Sequence, residues 1–115
     1  MAEELRLKRA YEEADPGDGQ RVLVDRIWPR GVSKAEAHID LWLKEVAPST
    51  ELRKWFGHKP ERWPAFREGY LKELKANPAV GELRQVMAKG PVTLVYGAKD
   101  TERDQAVVLA EHLER

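Results

Sequence analysis

The chain contains no cysteine, a single asparagine (Asn77) and no surplus charge: 20 basic residues stand against 20 acidic ones in 115. Each shortage removes a class of function. Without thiols there is no disulfide, no thiolate metal site, no cysteine nucleophile and no CxxC redox pair. The charge is also balanced locally, with 10 basic against 11 acidic residues through Gly57 and 10 against 9 after it. Global electrostatics therefore disfavours nucleic acid as the partner and offers nothing to an anionic membrane. No long apolar run occurs, and the N-terminus, MAEELRLKRA, has no secretory pattern. The expectation is a cytoplasmic protein that forms one domain over residues 1–115 around one core. High charge content with no cysteine and one asparagine also leans toward a heat-adapted, thermostable chain.

What is present reads as a small α/β fold. LRLKRAY (5–11), RVLVDRIW (21–28) and PVTLVYGA (91–98) read as strands, the last two nearly continuous apolar text of the kind covered on both faces. Ser33 and Glu36 form an S-x-x-E capping box, and Ile39, Trp42, Leu43 and Val46 behind it fall at helical spacing. That predicts a helix from Ser33 until Pro48 closes it. Leu52, Trp55 and Phe56 share a face of a short piece ending at Gly57. Trp63, Phe66, Tyr70, Leu71 and Leu74 stripe the next helix, and Val80, Leu83, Val86 and Met87 the one after. A final helix is expected to start near Asp100. Trp42, Trp55 and Trp63 lie on such stripes and read as core. The expected fold is α/β, with a small mostly parallel sheet of about three strands flanked by helices on both faces. Spacing alone leaves the direction of the first strand open.

In open parallel sheets, ligands bind beyond the carboxyl ends of the strands. Two loops land there if the second and third predicted strands are parallel neighbours: DRIWPRG, leading to the Ser33 cap, and YGAKDTERDQ, leading to the last helix. Each carries cations, Arg26 and Arg30 in one and Lys99 and Arg103 in the other. Each also carries a glycine, Gly31 or Gly97, that admits close approach. Guanidiniums beside helix starts suit a phosphate or carboxylate group. Asp25 and Asp100 are the candidate acid–base residues, and Trp28 the candidate stacking residue. The same residues also have a purely structural reading, with Asp25–Arg26 as an ion pair bracing the sheet and Trp28 as core. His58, in WFGHKPERW, either donates a proton near a cleft or shapes the turn. His38, His58 and His112 lack metal-ligand spacing, so neither a metal nor a cofactor is expected. No nucleotide-loop, dinucleotide or hydrolase-elbow motif occurs.

RVLVDRIWPRGVSK, WLKEVAPSTELRKWFGHKPERWPAF and VTLVYGAKD, taken together, resemble the DUF488 family in its YeaO-like branch. The resemblance runs over nearly the whole chain. It implies a small α/β domain whose first strand is parallel too, and it brings no established activity. It marks Asp25, Arg26, Trp28, Pro29, Arg30 and Gly31, then Trp55, Phe56, His58, Pro60 and Trp63, then Tyr96, Lys99 and Asp100. More distant members tend to carry cysteines after the last strand, where this chain has Tyr96 and Gly97. The leading expectation is a domain of unknown function that binds a small anionic ligand. The first alternative is a hydrolase or transferase acting on a nucleotide-like or phosphorylated small molecule with an Asp acid/base. A nucleic-acid-associated protein ranks last, and a homodimer is left open by composition.

Overall fold

A computed structural model describes residues 5–114. Four parallel strands form one sheet: β1 (Leu5–Arg9), β2 (Gln20–Leu23), β3 (Leu41–Trp42) and β4 (Val92–Tyr96), in the order β1-β4-β2-β3. Five helices accompany them: α1 (Lys34–Ala37), α2 (Thr50–Phe56), α3 (Trp63–Lys75), α4 (Ala79–Met87) and α5 (Gln105–Leu113). The fold class is the expected one, with a fourth strand added and β1 parallel. β4 sits between β1 and β2, with Leu7 and Val22 both registered to Leu94. The loops that follow β2 and β4 therefore leave from adjacent strand ends.

Strand alternation decides what each sheet face meets. Val22, Val24, Val92, Leu94 and Tyr96 join the main core with Phe56, Phe66, Tyr70, Leu74, Leu83 and Leu109. Leu23 and Val95 point the other way, with Ala10, onto Trp28, Val32 and Ile39. Fully buried Tyr70 keeps its hydroxyl satisfied by donating to the Val46 carbonyl at 2.7 Å.

The expected helix from Ser33 to Val46 stops after one turn. Its capping box forms, but His38 takes a left-handed conformation (φ 49°, ψ 44°) at the C-cap. Asp40 then ties the chain to β2: its carboxylate accepts the Arg21 N–H at 2.8 Å, and its own N–H donates to the Arg21 carbonyl at 2.9 Å. Leu41–Trp42 pairs as a strand. A strand followed by a 3₁₀ turn reproduces the helical spacing of those apolar residues by coincidence. Trp42 is accordingly 37% exposed rather than core, and Trp55 is 44% exposed on the outer face of α2. Trp63 is half-buried against the main core.

The amino ends of the strands are held by charge. Buried Asp18 lies 2.6 Å from Arg21, 2.9 Å from Lys8 and 3.7 Å from Arg6. Burial alone would push its carboxyl up; hydrogen bonds from Lys8, the Asp15 N–H and Arg21 outweigh this and hold it below the usual value. Arg21 also donates to the Ala37 carbonyl, which brings α1 against the sheet. No helix among the described residues is long and apolar enough to cross a membrane.

Candidate functional site

The ladder between β2 and β4 ends in a side chain. Val24 donates its N–H to the Val95 carbonyl at 3.0 Å, and beyond it the Gly97 N–H turns to Asp25 Oδ2 at 2.8 Å. A Cβ on Gly97 would stand 3.1 Å from that oxygen and 3.5 Å from Pro29, so glycine is what lets the two strand ends close. Gln105, first residue of α5, donates its side-chain amide to Asp25 Oδ1. One carboxylate thus joins the ends of β2 and β4 to the start of α5. Asp25, Arg26 and Arg30 thus share a rim with Gly97 and Ala98.

A cavity of about 250 Å³ opens over this junction. Its polar lining includes Tyr11, Asp25, Arg26, Arg30, Arg53, His58 and Gln105; Phe56, Phe66, Ile27, Pro29 and Pro48 contribute apolar wall. Phe56 and Phe66 stack with centroids 4.3 Å apart. Arg26 is half-buried and donates to the carbonyls of Pro48 at 3.3 Å and Ala47 at 3.2 Å. Arg30 is exposed. Arg53 reaches in from α2, and its buried Nε has no acceptor. None of these three guanidiniums enters an ion pair among the described residues.

Burial pushes the Asp25 carboxyl up to about 6, against the opposing pull of the Gly97 N–H, the Gln105 amide and the Arg53 charge. A carboxyl poised there can hold or release a proton near neutrality. Buried Asp104 caps α5 by accepting the N–H groups of Ala106 and Val107 through Oδ1. Its Oδ2 is buried without a partner, and burial, with the nearby charges of Asp25 and Asp100, brings it to about 6 as well.

The other candidates scatter. Asp100 neither caps α5 nor lines this cavity. It accepts the N–H groups of Glu102 and Arg103 and the Arg103 guanidinium, and those bonds hold its carboxyl below the usual value. That engagement leaves it unsuited to proton exchange near neutrality, and the last helix starts four residues later than expected. Trp28 donates its indole N–H to the Val32 carbonyl at 2.7 Å and meets Trp42 edge-on, on the far face of the sheet. Tyr96 is buried in the main core, which pushes its phenol up to about 12. Gly31 (φ 74°) borders a different depression beside Glu12, Glu36 and His38. Lys99 lines a neighbouring pocket with His58, Ala98 and Asp100. The structure thus gathers Asp25, Arg26, Arg30 and His58 at this cavity, and sets Trp28, Gly31, Tyr96, Lys99 and Asp100 apart from it. Sequence reasoning missed Arg53 and Gln105. The available signal for Arg53 was its i, i+3 relation to Phe56, which puts both on one helix face. No group of three or more metal-ligating side chains gathers among the described residues.

Comparison with known proteins places these features in context. Residues 4–115 match the family described as the inactive DUF488-N3 subclade. The chain is 47% identical to the uncharacterised protein Rv3073c of Mycobacterium tuberculosis over 109 residues, 95% of this chain and 92% of that one. It is 46% identical to the uncharacterised protein YeaO of Escherichia coli over 110 residues, 95% of this chain and 96% of that one. No solved structure gives a significant match.

Proposed function

Because the chain belongs to the DUF488 family, in the branch described as its inactive N3 subclade, we propose that it is a binding protein that holds a small anionic ligand without turning it over. The ligand bears a phosphate or carboxylate group and sits at the carboxyl ends of β2 and β4. One observation carries this reading: three guanidiniums line one cavity with no carboxylate paired to any of them among the described residues. Arg26 and Arg53 are half-buried; unpaired cations so placed are costly, and an anion gripped by planar N–H forks would offset that cost. The single carboxylate present, Asp25, already accepts two neutral donors. The family description supports binding over catalysis.

A second reading is favoured by one specific feature. Asp25, near 6 and facing the cavity, suits an acid–base residue of a hydrolase or transferase acting on a phosphorylated or nucleotide-like molecule. Asp100 has no part in that version.

Thermal-shift measurements separate the outcomes. Inorganic phosphate or benzoate at saturating concentration should raise the melting temperature of the native protein, and Arg53→Met or Arg30→Ala should shrink that rise. If no anion shifts the native protein, or both variants respond as fully as it does, the binding reading fails. Turnover in a phosphoester or nucleotide screen that Asp25→Asn abolishes would select the enzyme instead.

A further inference from the structure

We infer that the ligand of this cavity carries an amino group beside its anionic group, the simplest such molecule being an α-amino acid. This rests on the anion-binding reading above and sharpens it. The starting point is a pair of opposite charges that share a cavity without joining. Asp25 and the Arg53 guanidinium both line it, and each lies within the other's field. Yet no ion pair links them among the described residues. Arg53 makes no side-chain hydrogen bond there either, and its Nε is buried without an acceptor. Among the described residues the Asp25 carboxylate accepts only from the Gly97 N–H and the Gln105 amide, both neutral.

Two opposite charges withdrawn from water are stabilised only when each finds a partner of full charge. A simple anion would satisfy Arg53 while setting its own charge against Asp25. A neutral amide edge would leave both charges uncompensated. A carboxylate and an ammonium on one carbon would pair with Arg53 and Asp25 together. The other cations do not compete for Asp25: Arg26 is turned to the carbonyls of Ala47 and Pro48, and Arg30 stands exposed at the mouth. The stacked Phe56–Phe66 wall is left to seat the apolar remainder of the molecule. A volume of about 250 Å³ falls below the range of drug-sized sites and suits a molecule of amino-acid size.

Calorimetric titration with matched pairs tests this. Phenylalanine is compared with 3-phenylpropionate, and glutamate with glutarate, at pH 7.5. In at least one pair the amino member should bind tenfold or more tightly, and Asp25→Asn should bring that ratio to about one. In the native protein the ratio should narrow as pH falls to 5, because Asp25 takes up its proton near 6. Tyr11, Arg26, Arg30, Arg53 and His58 face the same cavity, and Asp104 at the start of α5 feels the Asp25 charge. They act on both members of a pair, so the ratio isolates the amino group's partner. This pH arm decides the matter should Asp25→Asn fail to fold. Equal binding of amino and desamino members overturns the inference while leaving anion binding intact. Silence from every member, with phosphate silent as well, overturns both.

Discussion

Asp25 keeps its proton to about pH 6 in the folded chain because it is buried, whereas an unperturbed aspartate releases it near 3.8. Between those values the folded state binds more protons. The stability contributed by this group is therefore fully present below about 3.8 and is lost as pH rises through 6. Asp104 acts in the same sense. Asp18 acts in the opposite one: its carboxyl is held low, so its contribution is present above 3.8 and is lost as pH falls below that. Stability should accordingly peak in mildly acidic solution. Asn at position 25 removes the titration while Gln105 turns its amide oxygen to face the new NH₂. Urea denaturation should find Asp25→Asn more stable than the native protein at pH 8, by up to about 3 kcal/mol. The advantage should vanish at pH 4, and a variant weaker than the native protein at both values would contradict this account. Sequence reasoning singled out Asp25 by its place after a buried strand, and the structure puts its carboxylate in the wall of a cavity. The same logic failed for Asp100 because a turn-forming and a helix-capping aspartate look alike four residues apart. Asp100 and Asp104 each accept two N–H groups from residues just ahead, and only the following helix distinguishes them.

At the scale of elements, the first helix shows what periodicity does not encode. Ser33 and Glu36 gave a correct start, but the end is set by His38 in the left-handed region and by Asp40 clamped to Arg21, a residue 19 positions earlier. A tertiary clamp of that kind is invisible to local spacing. The later helices were legible because each buries its own stripe in the main core, as Phe66, Tyr70 and Leu74 do for α3. Non-glycine residues occupy the left-handed region at a cost of roughly 1 kcal/mol. His38 is exposed, and the structure gives its side chain no hydrogen bond or ion pair among the described residues. His38→Gly should therefore stabilise the protein by up to about 1 kcal/mol, an effect trimmed by the greater freedom of glycine in the unfolded chain. Equilibrium denaturation would check it, and a clear loss of stability would mean that the imidazole is engaged.

Across the whole molecule the parallel sheet has two charged ends with different work. At the amino end one buried carboxylate gathers Lys8, Arg21 and Arg6; at the carboxyl end three guanidiniums line a cavity without ion pairs of their own among the described residues. The carboxyl-end location was legible because parallel topology alone sends the loops after β2 and β4 to one rim. The third contributor, Arg53, was not, since the docking of α2 over that rim depends on contacts between distant segments. Asp18 and Asp25 lie seven positions apart, before and after β2, and share no hydrogen-bond or ion-pair partner among the described residues, so the two ends should behave independently. Asp18→Asn leaves buried Arg21 short of its charge partner and should cost about 3–5 kcal/mol, yet the folded variant should keep the native melting response to phosphate. Arg53→Met removes a half-buried cation that has no partner among the described residues. Relief of that cation is offset by loss of its pull on Asp25, so the variant should stay close to the native protein in stability and lose most of that response. The double variant should show the sum of the two stability changes to within about 0.5 kcal/mol. Denaturation of the four proteins, with and without phosphate, reads all of this, and a phosphate response abolished by Asp18→Asn in a folded protein would show that the amino end also shapes the cavity.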